Sequence, residues 1–202
     1  PNRIVALQNA KNSGSAKHNF FRMMLEHQDD YVMLCDQDDV WCPDKIERTL
    51  FAMEKAEEQA GKETPVLVHT DLTVVDEDLR VLASSYRHTV NGNWQRTALH
   101  WELAQNTVTG CTAMYNRALG DLLQDEPSFF VMHDWWLALT ASAFGLIVPL
   151  DEATILYRQH GDNAVGAKFV RPPRYLLRRL FDVKGYRKEL AETFLQSESF
   201  YD

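Results

Sequence analysis

Apolar runs and amphipathic stretches alternate along the first third of the chain, which is the pattern of an α/β protein. Residues 3–8 and 31–35 are apolar runs of strand length, and residues 15–28 between them place apolar side chains at helical spacing. Pro43 occupies the position of a first helical residue, so the sequence predicts a helix from about Pro43 to Ala60. The predicted order is strand, helix, strand, helix.

The middle of the chain predicts a hairpin and a polar loop. A strand at 66–69 leads into two apolar runs, 72–75 and 81–82, that flank an acidic turn. Residues 86–97 are polar and carry an Asn-Gly turn signal, so we expect a surface loop there.

The remaining chain predicts further helices and strands and then a basic segment. Helices are expected over 98–105, 116–123 and 133–144, and extended segments over 108–115, 146–150 and 154–158. After Pro172 and Pro173, residues 175–195 are basic and amphipathic, with a break expected at Gly185. Together these elements predict a mixed sheet flanked by helices.

Composition indicates a globular chain whose charge is unevenly spread. The 202 residues are 45% hydrophobic and 25% charged. The uncharged runs are broken by Gly, Pro or polar residues, so none supplies the roughly 18 apolar residues of a membrane-spanning helix. The net charge is −8, yet Lys168 to Lys188 holds eight Lys or Arg against one Asp. An acidic body argues against nucleic acid as a partner. The basic stretch is either a solvated helix face or a contact with anionic lipid or an acidic partner.

Cysteine usage predicts a reducing compartment. Cys35, Cys42 and Cys111 form no CxxC pair and leave an odd thiol, which argues against a disulfide framework or a structural zinc site. We therefore expect a cytoplasmic protein.

The strongest chemical signal is Asp36-Gln37-Asp38-Asp39, which directly follows an apolar strand. Ligands of open α/β sheets bind beyond the carboxyl ends of strands, and closely spaced carboxylates repel unless a cation or hydrogen-bond donors compensate them. Carboxylates suit a hard ion such as Mg²⁺ or Mn²⁺. The alternative is an acidic turn that caps the next helix.

A second signal is His133-Asp134-Trp135-Trp136 at the start of a predicted helix. Indole faces stack on sugar rings, and an adjacent carboxylate can take a proton from a bound hydroxyl. The alternative is a helix-capping Asp followed by core tryptophans.

Three weaker signals each have an ordinary structural explanation. A tight turn at Asn12-Ser13-Gly14, a close backbone approach at Thr109-Gly110-Cys111 and a strand end at Tyr157-Arg158-Gln159-His160 all fit a ligand site or a plain loop. P-loop, HExxH and GxGxxG motifs are absent from the sequence.

In this order, these motifs resemble the family-2 inverting glycosyltransferases with the GT-A fold, particularly the bacterial rhamnosyltransferase-like branch. The resemblance also rests on Asn19, on Val40-Trp41 and on Pro43-Asp44-Lys45, and it spans most of the chain. It implies a Rossmann-like, mixed and mainly parallel sheet over 1–165, with 166–202 as a basic amphipathic helical tail.

The resemblance also implies roles for individual residues. Asp134 matches the catalytic base, and Asp38 and Asp39 match the contacts of a divalent metal, Mg²⁺ or Mn²⁺. Further matches are Asn12, Gly14, Asp36, Asp38 and His160 for the donor, and Gly110, Trp135 and Trp136 for the acceptor.

The implied activity is metal-dependent inverting transfer of a sugar, rhamnose from dTDP-rhamnose, to a hydroxyl of a growing cell-surface polysaccharide or lipid-linked glycan. The family's opening strand, helix and strand, which hold the nucleotide base, have no counterpart here, so we expect an N-terminally truncated domain. The basic tail would then touch the inner membrane face. The alternatives are a metal-dependent nucleotidyl or phosphoryl-transfer enzyme and a non-catalytic sugar-binding module.

Overall fold

Residues 4–9, 11–26, 29–89, 93–159 and 183–201 are described by the computed structural model of the protein. The helices are α1 (Ala16–Glu26), α2 (Lys45–Ala60), α3 (Leu99–Glu102), α4 (Arg117–Gly120), α5 (His133–Phe144) and α6 (Val183–Tyr201). The strands are β1 (Tyr31–Met33), β2 (Val40–Trp41), β3 (Val66–Val75), β4 (Val81–Ala83), β5 (Ala113–Asn116) and β6 (Leu146–Arg158). A 3₁₀ turn, Gly110–Thr112, precedes β5.

The strands form one mixed sheet in the order β1-β5-β3-β6-β2, with β4 paired to β3. The mixed sheet and its flanking helices confirm the predicted α/β class. The expectation of a mainly parallel sheet is wrong for the described strands, because β3 and β6 run parallel while the other pairings are antiparallel. Apolar patterning predicts that a strand is buried but not the direction in which it runs.

Helices cover both faces of the sheet because successive side chains of a strand point to opposite sides. On one face Val66, Val68 and Met114 pack with Met53 of α2. The opposite face carries Leu67 and Tyr115, which pack with Phe21 of α1 and Leu137 of α5. This arrangement fixes α5, and with it the His133-Asp134 pair, against the sheet.

Several predicted elements are confirmed. The helix of 133–144 matches α5 at both ends, the helix of about 43–60 matches α2, and the hairpin of 72–75 with 81–82 corresponds to β3 and β4. Gly145 is the C-cap of α5, and the position requires glycine because any added Cβ would overlap the Pro65 carbonyl oxygen. Leu146 then donates to that same oxygen at 2.9 Å and begins β6.

Other predicted elements are wrong. Residues 4–9 form no strand, and Ile4 is 95% exposed. The extended segment of 108–115 is partly the 3₁₀ turn, the two strands of 146–158 are the single strand β6, and α6 continues through Gly185 without a break. An apolar segment such as 4–9 forms a strand only where another strand is available to pair with it. A glycine within a helix such as α6 costs about 1 kcal/mol, which does not by itself end the helix.

The predicted surface loop of 86–97 is partly packed. Arg87 is buried, its guanidinium lies 3.0 Å from His69 Nδ1, and Asp71 accepts the Arg87 backbone N–H at 3.2 Å. Burial lowers the pKa of His69 to about 3, and the neighbouring Arg87 charge acts in the same direction. A neutral His69 can accept from the Arg87 guanidinium, so this contact carries no repulsion between charges.

His160 and most of the basic stretch, residues 160–182, lie outside the described residues. Among the helices that are described, none is both long and apolar enough to cross a membrane.

Candidate functional site

Two carboxylates and a thiol converge beyond the end of β1. The nearest ligand atoms of Asp36, Asp39 and Cys111 all lie within 4.8 Å of one another. Asp36 and Asp39 follow β1, whose continuation is held when Leu34 donates to the Ala113 carbonyl oxygen at 3.3 Å. Cys111 comes from the 3₁₀ turn before β5. Because β1 and β5 are paired, the acidic loop and this turn meet at one edge of the sheet.

Asp39 is held in place through β6. Its Oδ1 accepts the backbone N–H of Arg158 at 3.0 Å, while Arg158 Nε donates to the Asp38 carbonyl oxygen at 2.9 Å. Asp39 Oδ2 is buried and has no hydrogen-bond partner among the described residues. Burial raises the pKa of Asp39, and the hydrogen bond from the Arg158 backbone N–H and the adjacent Cys111 thiol oppose that rise. A buried carboxylate oxygen without a donor fits the presence of a cation.

The carboxylates of Asp36 and Asp39 repel each other unless a positive charge compensates them. Burial raises the pKa of Asp36 to about 6, and the charges of Asp39, Asp38 and Asp134 add to the rise. Burial likewise raises the pKa of the Cys111 thiol well above its ordinary value, with Asp39 and Asp36 acting in the same direction. Two carboxylates fit Mg²⁺ or Mn²⁺, whereas a thiol is a ligand that softer ions prefer. The Asp38 carboxylate is not a member of this group, in which Asp36 accompanies Asp39 instead. Metal contact by Asp38 and Asp39 stays a prediction.

Lys45 places a positive charge beside the acidic group. Its side chain is fully buried, with Nζ donating to Thr154 Oγ1 at 3.4 Å and lying 5.2 Å from the centre of the Trp41 ring. Burial lowers the pKa of Lys45, while the neighbouring thiols and Asp39 oppose that change. The ammonium therefore offsets part of the repulsion among the carboxylates.

Asp134 lies in the first turn of α5 and is 8% exposed. Its Oδ2 accepts the backbone N–H of Gly110 at 2.8 Å, and its Oδ1 accepts Nδ2 of Asn106 at 3.1 Å. Met132 is the N-cap of α5 and makes no side-chain capping bond, so the interpretation of Asp134 as a cap is wrong. The capping interpretation of the acidic loop is also wrong, because Asp44 occupies the N-cap of α2.

Gly110 and Cys111 bring the two predicted motifs together. Gly110 is bonded to Asp134, and the next residue, Cys111, belongs to the group with Asp36 and Asp39. A Cβ on Gly110 would lie 2.9 Å from His133 Nε2 and 3.4 Å from Asp134 Oδ2, so only glycine fits there without displacement. Two consecutive residues, Gly110 and Cys111, therefore connect the acidic loop to the Asp134 carboxylate of α5.

The two tryptophans have different surroundings. Trp136 packs against the core, and its ring lies 5.2 Å from that of Phe200. Trp135 donates its indole N–H to the Glu102 carbonyl oxygen at 2.6 Å. Trp136 thus fits the core alternative, and acceptor contact by Trp135, Trp136 and Gly110 stays a prediction.

The predicted donor residues near the N-terminus form a local turn. Gly14 has a φ of +83° and donates its backbone N–H to Asn12 Oδ1 at 2.9 Å. A left-handed backbone explains the glycine. Donor contact by Asn12, Gly14, Asp36 and Asp38 stays a prediction, and His160 lies outside the described residues.

Sequence reasoning missed Asn106 and Glu102, which surround Asp134. Glu102 is fully buried, and burial raises its pKa to about 7; hydrogen bonds from Thr107 oppose that rise and the charge of Asp134 adds to it. An acidic residue between the apolar Trp101 and Leu103 was the available signal for Glu102. No spacing pattern marks Asn106.

A mixed sheet with flanking helices and two carboxylate motifs at one edge is consistent with a glycosyltransferase-like fold. No protein-family model matches the chain. The chain is 26% identical over 207 residues to the dTDP-rhamnosyl transferase RfbG of Shigella flexneri. The match covers 95% of this chain and 65% of that relative, so the chain spans about two thirds of the relative's length. The chain is therefore similar to a rhamnosyl transferase along most of its own length.

Proposed function

We propose that the protein is a metal-dependent inverting glycosyltransferase of the family-2, GT-A type. It transfers a sugar, rhamnose from dTDP-rhamnose, to a hydroxyl of a growing cell-surface polysaccharide or lipid-linked glycan. The observation that carries the proposal is the junction at Gly110 and Cys111, which places Asp134 beside the Asp36 and Asp39 group. Similarity to the dTDP-rhamnosyl transferase of Shigella flexneri supports the choice of donor.

Asp134 would act as the general base. The acceptor oxygen attacks the anomeric carbon, its proton passes to a carboxylate oxygen of Asp134, and the bond from that carbon to the nucleoside diphosphate breaks with its electron pair leaving on the diphosphate. Attack opposite the leaving group inverts the anomeric centre. Hydrogen bonds from Gly110 and Asn106 fix the carboxylate for this transfer.

Asp39 and Asp36 would hold the divalent cation, with Asp38 on the donor. Asp39 Oδ2, which is buried and unpartnered among the described residues, is the oxygen best suited to it. A bound Mg²⁺ or Mn²⁺ supplies compensation for the negative charge of the departing diphosphate. Lys45 adds a fixed positive charge close to the same carboxylates.

Two substitutions in the full-length protein separate these roles. Asp134→Asn is expected to lower the rate of rhamnosyl transfer about 10²- to 10⁴-fold, since it removes the base. Calorimetric binding of dTDP-rhamnose with Mn²⁺ is expected to persist in this variant. Asp39→Asn is expected to abolish the Mn²⁺-dependent part of donor binding.

Asp125→Asn is the matched control, because Asp125 is exposed and belongs to neither motif. Near-normal transfer by Asp134→Asn would remove Asp134 from the base role. A product assay across a panel of nucleotide sugars tests the donor itself, and release of inorganic pyrophosphate instead of a glycoside would favour nucleotidyl transfer.

A further inference from the structure

Both oxygens of the Asp134 carboxylate are already engaged by protein donors. Oδ2 accepts from the Gly110 backbone at 2.8 Å and Oδ1 accepts from the Asn106 side chain at 3.1 Å. Two donors on two oxygens fix both the position and the plane of the carboxylate. Each oxygen has a second lone pair, so a proton acceptor site remains on either side.

The Asn106 amide is itself oriented. Its Oδ1 accepts the backbone N–H of Val108 at 2.9 Å, which leaves Nδ2 directed at Asp134. Because a rotated amide would lose the Val108 bond and set its oxygen against a carboxylate oxygen, one orientation is strongly favoured.

Glu102 anchors the segment that carries Asn106. Its carboxylate accepts the backbone N–H of Thr107 at 3.3 Å and also the Thr107 hydroxyl, while its carbonyl oxygen accepts the indole N–H of Trp135 at 2.6 Å. Trp135 is the residue after Asp134 in α5. The loop that holds Asn106 is therefore tied to the same helical turn as the carboxylate that Asn106 contacts.

We propose that Asn106 is a positioning residue for the base, holding Asp134 Oδ1 so that the carboxylate keeps one plane toward the acceptor hydroxyl. The inference rests on the proposed function, because it assigns Asn106 a role through Asp134. Asn106 is half-buried and belongs to none of the hydrophobic core clusters of the described residues. Its contact with Asp134 can thus be removed without opening the core.

The test compares Asn106→Ala with Asn93→Ala in the full-length protein. Asn93 is an exposed loop asparagine whose side chain contacts only the nearby Gln95 backbone N–H in the described structure. Asn106→Ala is expected to lower kcat about 10- to 100-fold, since a small misplacement of a reacting group has costs of that size. KM for dTDP-rhamnose is expected to stay near the wild-type value, while the melting temperature falls slightly because the Val108 N–H loses its acceptor. Asn93→Ala is expected to change none of these.

A double-mutant cycle identifies the route of the effect. In an Asp134→Asn background, adding Asn106→Ala is expected to change the residual rate less than about twofold, because residues that act through one another are not additive. An equal loss in both backgrounds, or a normal kcat for Asn106→Ala, would overturn the inference.

A crystal structure of Asn106→Ala gives a readout that needs no activity. We expect the Asp134 carboxylate to be rotated about its Cβ–Cγ bond, and an unchanged plane would refute the positioning role. If the wild-type protein forms no glycoside from any sugar nucleotide, the proposed function fails, whereas the structure of the variant still decides whether Asn106 orients Asp134.

Discussion

Glu102→Gln is expected to remove much of the pH dependence of stability. Glu102 is fully buried, and burial raises its pKa from 4.5 to about 7. Between these values the folded chain keeps a proton that the unfolded chain has lost, so the unfolding free energy decreases as pH rises. The penalty is absent well below pH 4.5 and complete above pH 7.

The magnitude follows from the displacement of the pKa. One pKa unit corresponds to about 1.4 kcal/mol, so a displacement of about 2.5 units makes the wild type less stable by about 3 kcal/mol at alkaline pH than in acid. A glutamine has nearly the same shape, keeps an oxygen that accepts from Thr107 and carries no charge to bury. Glu102→Gln is therefore expected to be the more stable protein at pH 8.

Urea unfolding of both proteins at several pH values between 4.5 and 8 measures this difference. Asp36 also has a raised pKa and shifts stability in the same direction, but it is present in both proteins and cancels from the comparison. Glu58→Gln, at an exposed acidic position of α2, is the control for loss of one negative charge. Parallel pH profiles for the wild type and Glu102→Gln would refute the reasoning.

Two further predictions concern the junction and the tail. Gly110→Ala is expected to reduce the transfer rate in steady-state assays, because its Cβ would lie 2.9 Å from His133 Nε2. The control Gly120→Ala is expected to leave the rate unchanged, because its Cβ would make only an ordinary 3.4 Å contact with the Tyr115 ring. Equal rates in both variants would contradict this prediction. We also propose that residues 171–188 contact an anionic membrane surface at the inner face. Vesicle sedimentation is expected to show binding to anionic but not neutral lipid, reduced by reversing the charges of the exposed Lys184 and Arg187. Equal binding to neutral vesicles would reject this proposal.

Local patterning predicts the elements around the site but not its inner contacts. The bounds of α5 follow from an apolar stripe that ends at Gly145, and the acidic loop is placed correctly because it follows the apolar strand at 31–35. Helical spacing and strand ends are properties of a few neighbouring residues, so the sequence carries them directly.

Contacts between segments that are distant in sequence cannot be predicted from the local pattern of apolar and polar residues. Asn106 meets Asp134 only because α3 packs against α5, and Cys111 joins Asp36 only because β1 pairs with β5. The exposed apolar segment 4–9 and the antiparallel direction of β5 have the same origin, since both depend on which segments are available as partners.

The Gly110–Cys111 step has a consequence for how the two halves of the site communicate. Adjacent Cα atoms are separated by about 3.8 Å across a planar peptide, so this linkage is short and stiff. A ligand that draws the thiol toward the carboxylates would pull on the same backbone that donates to Asp134. Binding of a ligand at the acidic loop would therefore shift the Gly110 amide that holds the Asp134 carboxylate.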